Sequence, residues 1–441
     1  MVRALGSVFA RVARRFLPDA FIFAIVLAII VFALGMAVEG ASFFDMAQYF
    51  GGGLWNLLAF SMQMVLILVT GTALATSKPV HRIMRAIAAS AKTPGQGIVI
   101  VTIVMVVGCW LNWGFGLIIS ALVAKEIAKS VRGLHYPLLV ASAYSGFVVW
   151  HAGFSGSIPL KIAGEDSIMA EFADGAVISA SQTIFSWENL LLVAVYLVTI
   201  PIINRLMMPK DKNEIIEVDP ELLADEPEDE DNEEMTPAKR LENARAFSYL
   251  IGAVGIVYIV IYFAGGGSIG LNIVNFIFLM LGIILHGTPI RYVKAVNEAI
   301  RNVGGIVLQF PFYAGIMGMM VGSGLAATFS QGFVSISNAT TLPFFSFISA
   351  GIVNFFVPSG GGQWAVQGPI MMPAARELGA SYSNVAMAIA WGDAWTNMIQ
   401  PFWALPLLAV AKLNIRDIMG YTTVVLLFTG IVTSLAMLTI F

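Results

Sequence analysis

Asn354-Phe-Phe-Val-Pro-Ser-Gly-Gly-Gly-Gln-Trp-Ala-Val-Gln-Gly-Pro369 decides how this chain is read. It lies inside an apolar stretch, yet it holds two prolines, four glycines, a serine, two glutamines and an asparagine. A helix that only anchors needs none of these. Proline and glycine break helices, and the freed backbone N–H and C=O groups cannot be left facing lipid. Broken backbone at membrane depth therefore implies burial in protein or a polar cavity. The stretch reads as half of a solute site.

Around it, 58% of the 441 residues are hydrophobic and 12% charged, with a mean hydropathy of +0.83. A soluble domain carries roughly a quarter charged residues. Several apolar runs reach the roughly 20 residues that cross a bilayer core. The chain is a polytopic, all-α membrane protein with the lipid bilayer as its surroundings. Its net charge of −3 conceals an uneven distribution. Thirteen acidic residues and one lysine lie within 211–234, leaving 23 basic and 14 acidic residues elsewhere. The single Cys109 excludes an internal disulfide and reads as a small packing residue. No nucleophile–base pair or metal motif is visible, so no enzyme and no cofactor are expected, and nothing points to nucleic acid.

Basic clusters orient the spans, because cytoplasmic loops carry the excess of Lys and Arg. Arg3, Arg11, Arg14 and Arg15 precede an apolar run at 16–38. That run is longer than a signal-peptide core of about 7–15 residues, so it reads as a first span with a cytoplasmic N-terminus. The run 97–124 has basic groups at both ends and Trp110-Leu-Asn-Trp-Gly-Phe-Gly116 at its middle. It is too short for two full spans and generous for one, and it reads as a re-entrant hairpin from the cytoplasm. The helix at 136–160 is interrupted at Trp150-His-Ala-Gly-Phe-Ser155, and Lys161 beyond it is expected at the outer mouth. The acidic segment 209–245 reads as a solvated cytoplasmic linker. A second hairpin is expected at 343–372 and a second broken helix at 383–410, interrupted at 392–397. The C-terminus falls outside.

Three landmarks recur in order. Gly71-Thr-Ala-Leu-Ala75 matches Gly322-Ser-Gly-Leu-Ala326, the turn at Asn112 matches that at Asn354, and Trp150–Ser155 matches Trp391–Thr396. Their separations are 251, 242 and 241 residues. The charge map puts the first hairpin inside and the second outside. The expectation is an inverted-repeat transporter with repeats at 1–208 and 246–441, about nine spanning helices, two re-entrant hairpins and two broken helices. Paired broken helices place the binding site at the repeat interface.

Helix N-termini at the hairpin tips favour a carboxylate. Gly114, Gly360, Gly361 and Gly362 let backbone approach a ligand, with Pro358 setting the second turn. Asn112, Ser359, Asn354 and Gln363 add polar groups, and Trp113 and Trp364, with Trp150, offer apolar walls. His151, Ser155, Ser157, Thr396 and Asn397 come from the helix breaks. Asp393 is the candidate for a coupling ion, because ionisable groups at membrane depth are functional by default. No Lys or Arg falls inside the hairpins, so one carboxylate with a short apolar tail fits better than a dicarboxylate. The rivals are a Na⁺-pumping subunit of a carboxylate-processing complex, a transporter of other carboxylates, and a passive channel.

Asn354–Pro369, together with Ser145-Gly-Phe-Val-Val-Trp-His-Ala-Gly-Phe-Ser-Gly-Ser157, closely resembles the bacterial short-chain fatty acid transporter family, the acetoacetate and butyrate permeases. The resemblance covers nearly the whole chain, most weakly at 209–245. It implies secondary transport of short-chain monocarboxylates across the bacterial inner membrane, by symport with H⁺ or Na⁺. The family looks like a branch of the wider ion-transporter superfamily, whose sodium-dicarboxylate members carry Ser-Asn-Thr at both hairpin tips. This sequence has Leu111-Asn-Trp113 and Pro358-Ser-Gly360 there. The superfamily also implies an elevator movement and a possible homodimer.

Overall fold

The computed structural model describes residues 20–164, 175, 177–209, 211–218, 223, 235–301, 303–354, 357, 359–400 and 402–441. The basic N-terminus, the acidic residues at 165–174, most of the acidic run, and Phe355, Phe356 and Pro358 lie outside the described residues. Every regular element among the described residues is helical. Seven of these helices are long and apolar enough to cross a bilayer, and four shorter apolar helices accompany them. The all-helical, polytopic expectation holds.

The first half runs α1 (Ala20–Glu39), α2 (Phe43–Gly53), α3 (Leu58–Ala75) and α4 (Lys78–Ala89). A hairpin follows, α5 (Pro94–Leu111) and α6 (Trp113–Ser130), turning at Asn112. Then come α7 (Tyr136–Ser145), a 3-10 segment (Gly146–Ala152), the short α8 (Ser157–Ile162) and α9 (Trp187–Leu206). The second half holds α10 (Pro237–Glu242), α11 (Arg245–Ala264), α12 (Leu271–His286), α13 (Pro289–Ile300), α14 (Gly304–Ser323) and α15 (Leu325–Ile336). Its hairpin is α16 (Leu342–Val353) and α17 (Gly360–Leu378). The chain closes with α18 (Tyr382–Thr396), two 3-10 turns, α19 (Leu405–Ala411) and α20 (Ile415–Thr439).

Several boundaries differ from the sequence reading for physical reasons. The first hairpin spans 94–130 rather than 97–124. Thr93 caps its start with Pro94 in the first turn, and Lys129 suits the negative end of α6. The short helices α2, α4, α13 and α15 join the longer ones. In α4, Val80, Met84 and Ala88 are buried at helical spacing while its basic residues face outward. Gly324, at φ +90, turns the chain between α14 and α15, a conformation only glycine adopts without strain. The second helix break also moves. Residues 392–396 are regular helix, and the interruption lies between Asn397 and Ala404. Gly392 serves packing instead: a Cβ there would strike Phe347 O.

The linker is not only a tether. Ile216 accepts from Tyr136 N–H (2.8 Å) and donates to His135 Nδ1 (3.0 Å). Glu217 accepts from Gly133 N–H at 2.7 Å. Pairing that draws on a backbone N–H or C=O in every contact leaves little compositional signature.

Helix α14 packs against α1 and α2. A Cβ at Gly53 would lie 2.8 Å from Ala314 O and 3.2 Å from Gly318 Cα. Small residues allow this approach, which drives helix association where lipid is as apolar as the side chains. α11 exposes Leu250, Val254 and Ile261, the side chains of a lipid-facing helix. The hairpins and broken helices instead gather in the buried interior.

Candidate substrate and ion site

Each hairpin tip is made by a polar residue in extended backbone that caps the returning arm. Asn112 has φ −163 and ψ 125, and its Oδ1 accepts from Phe115 N–H at 3.0 Å. Its Nδ2 donates to Ile67 O at 3.2 Å. Ser359 has φ −156 and ψ 116, and its Oγ accepts from Gly362 N–H at 3.4 Å. Such caps stabilise a helix by about 1 kcal/mol. The shared device puts two helix N-termini at the centre of the molecule.

The first tip is anchored on every side. Trp113 N–H donates to Ser155 Oγ at 2.9 Å. Gly71 of α3 sits directly against Asn112, which explains the small-residue landmark at 71–75. Gly114 packs on the Leu68 backbone. Thus Asn112, Gly114 and Ser155, expected near substrate, hold the tip in place.

The second tip leans on α18. Asn354 Nδ2 donates to Asp393 O (2.9 Å) and to Thr396 Oγ1 (2.8 Å), and Thr396 Oγ1 donates to Gly351 O at 3.0 Å. Gln363 Nε2 bridges the two arms by donating to Ala350 O at 2.8 Å. Gly362 lies against the Tyr313 ring, and Trp364 is fully buried. Asn397 accepts from Trp150 Nε1 at 3.0 Å. Asn354, Gly362, Gln363, Trp364, Thr396 and Asn397 therefore frame the site rather than face its cavity.

Between the tips and the first helix break lies a narrow cavity. Trp113, Phe147, Trp150, Phe310 and Trp403 form aromatic walls, with Ser157, Ser359, Gly360 and Gly361 as the polar edge. The rings interlock, with Trp113 and Trp403 centroids 5.0 Å apart and Trp113 and Trp150 6.3 Å apart. The first N–H groups of α17, at Gly360 and Gly361, have no acceptor within their own helix, as at any helix start. The cavity volume is about 20 Å³, room for about one water molecule. A larger groove of about 530 Å³ lies between α1, α2 and α14, but its lining is wholly apolar and offers a carboxylate nothing.

Behind the cavity runs a polar chain. Ser157 Oγ lies 2.9 Å from His151 Nε2, and His151 Nδ1 lies 2.9 Å from Asp393 Oδ2. Ile158 N–H donates to the same Nε2 at 3.0 Å, so that nitrogen is an acceptor and the ring proton sits on Nδ1, donated to Asp393. The order of hydroxyl, imidazole and carboxylate resembles that of a hydrolase. Here the base lone pair is already engaged by Ile158. Trp150 stacks on the imidazole, with centroids 4.1 Å apart. Among the described residues, the buried Asp393 Oδ1, Asn354 Oδ1 and Gln363 Oε1 have no hydrogen-bond partner.

The profile described as "Short chain fatty acid transporter" matches residues 1–440. The chain belongs to that family. An Escherichia coli (strain K12) protein named "Putative short-chain fatty acid transporter" is 44% identical over 435 residues, spanning 98% of each chain. A Haemophilus influenzae protein of the same name is 43% identical over 424 residues, spanning 94% of this chain and 95% of its own. The crystal structure of the Alcanivorax borkumensis YdaH transporter, described as having an unusual topology, matches at TM-score 0.59 and 14% identity. It covers 95% of this chain and 98% of that one, and shows the fold alone. As a member of the short-chain fatty acid transporter family, the chain is a multi-pass membrane transporter of small molecules and not an enzyme.

Of the residues that sequence reasoning placed at the site, Trp113, Trp150, Ser157, Ser359, Gly360 and Gly361 line the cavity, and His151 and Asp393 stand directly behind it. Phe147, Phe310, Trp403, Met64 and Ile306 were missed. Phe310 had a signal in Pro311, a proline inside a spanning helix. Trp403 lay beyond the interruption expected at 392–397.

Proposed function

We propose that this protein carries short-chain monocarboxylates such as acetoacetate and butyrate across the membrane by cation-coupled symport. The observation that carries the reading is the cavity, with one polar edge of serine hydroxyls and helix-start N–H groups facing aromatic walls. A carboxylate suits the edge, because N–H groups and the positive end of α17 converge there. Ser359 can still donate its hydroxyl proton while its oxygen caps α17. A two- to four-carbon tail suits the rings. The cavity is far smaller than butyrate, so loading requires the second tip or an aromatic wall to shift, in keeping with alternating access.

H⁺ is the coupling ion in the first reading. Ser157, His151 and Asp393 link the cavity to a buried carboxylate through successive hydrogen bonds, a path that passes a proton once Ile158 N–H releases His151 Nε2. A second reading, with Na⁺, draws on the three unpartnered oxygens of Asp393, Asn354 and Gln363, which are acceptors that a small cation would satisfy. Proteoliposomes holding the purified protein test both. An inward proton gradient without Na⁺ should accelerate labelled butyrate uptake at least severalfold. Acceleration by Na⁺ alone would move the assignment to the second reading. Uptake indifferent to both gradients would sink coupling, and no uptake of any C2 to C6 acid would sink the substrate class.

A further inference from the structure

Among the described residues, Met64 and Ile306 are the aliphatic side chains that line the cavity, set among its rings, serines and glycines. Both are buried, and neither belongs to the polar chain behind it. Met64 lies one turn along α3 from Phe60, and Ile306 lies one turn before Phe310 on α14, so each shares a helix face with its ring. The Phe60 and Phe310 rings meet edge to face at 5.8 Å. A Cβ at Gly361 would strike Phe60 and lie 3.0 Å from Phe310 Cε1. That ring pair therefore backs the glycine end of the cavity. Further along α3, the Leu68 backbone lies against Gly114 of the first tip. Met64 thus stands midway between the tips, with Phe60 at one and Leu68 at the other. Along their helices, Met64 and Ile306 are one turn from the ring pair, about 5.4 Å.

We infer that Met64 and Ile306 set the length of acyl tail this transporter accepts. A ligand held by its carboxylate at Ser157, Ser359 and the start of α17 points its tail past the ring pair and onto these two side chains. A short tail ends against them, and a longer one must displace them. The aromatic walls discriminate less, because they are tied to one another. Trp113 packs on Trp403 and Trp150, Phe147 stacks on Trp150 and leans on Trp403, and Trp150 Nε1 donates to Asn397 Oδ1. A shift of that wall moves the rings as a set and opens the cavity to every acid alike. Met64 and Ile306 respond one side chain at a time, and an unbranched thioether adapts with little strain. One extra or missing methylene in a hydrophobic pocket changes selection about 10- to 200-fold. The inference rests on the carboxylate reading of the cavity.

The test uses the full chain in proteoliposomes, comparing wild type, Met64→Ala, Ile306→Ala and Ile306→Phe. Uptake of labelled acetate, butyrate and hexanoate gives kcat/KM for each acid. The readout is the ratio between acids within one variant, which does not depend on how much of that variant folds. Each alanine variant should raise the hexanoate-to-butyrate ratio on the order of tenfold or more over wild type. Ile306→Phe should lower the butyrate-to-acetate ratio on the order of tenfold. If one variant gives no folded protein, the others report the same selection. Ratios within about twofold of wild type in the alanine variants overturn the inference and leave the transport reading standing. Equal loss of all three acids also overturns it, because the two side chains would then only support the wall. If wild type itself takes up no carboxylate, the transport reading fails first and takes this inference with it.

Discussion

The two hairpin tips share one design and differ in how firmly it is held. Asn112 and Ser359 both sit in extended backbone and both cap the helix that follows. At the first tip both ends of the Asn112 amide are bonded, Trp113 N–H is bonded to Ser155, and Gly71 closes the remaining space. At the second tip the cap is longer, three consecutive glycines bring no side chains to pack, and Asn354 and Gln363 each leave an oxygen without a partner among the described residues. Displacing the first tip breaks several satisfied bonds. Displacing the second breaks the bonds of Asn354 Nδ2 to Asp393 O and Thr396 Oγ1, and it is the second that supplies most of the cavity's polar edge.

The contrast can be broken most forcefully at glycine. A Cβ at Gly360 would strike His151 Cε1 and Ser157 Oγ, forcing the tip into the cavity. Gly360→Ala should cut butyrate uptake at least a hundredfold with normal amounts of folded protein in the membrane. Gly114→Ala, at 3.1 Å from Leu68 O, should show its cost in folded yield instead. Substantial uptake by Gly360→Ala would remove the second tip from the substrate path.

Charge comes next. Asp393→Asn keeps an oxygen that can accept from His151 Nδ1–H while removing the carboxylate. Gradient-driven accumulation should fall at least tenfold, and butyrate–butyrate exchange, which needs no net cation movement, should persist. Loss of both would make Asp393 a framing residue.

The smallest effects separate the two caps. Asn112→Ala removes a cap and a second buried hydrogen bond, and should lower stability by about 1–3 kcal/mol with little change in KM. Ser359→Ala should cost less than about 1 kcal/mol in thermal denaturation and act mainly by raising KM. Identical behaviour of the two variants would erase the distinction between the tips.

Much of this arrangement is legible in the sequence, because lipid punishes broken backbone. Gly-Gly-Gly after Pro358 and Asn112 amid Trp and Gly could not be ordinary spans. His151 and Asp393 were singled out as ionisable groups at membrane depth, without their bond to one another being read. What escaped was whatever packing decides. Gly392 looked like a break and is a contact surface. The second interruption falls at Asn397–Ala404, a stretch whose sequence contains Pro401. Lys161 is buried to 8% exposure, and position along a helix says nothing of such depth. The docking of Ile216 and Glu217 uses groups that any residue or a short acidic side chain can offer.

The aromatic walls have a spectroscopic consequence. Three of the chain's nine tryptophans, Trp113, Trp150 and Trp403, ring the same small cavity. Their indole emission therefore reports that space above the background of the remaining six. A ligand that parts the rings changes both their polarity and their mutual quenching, giving the unlabelled protein its own optical signal for occupancy.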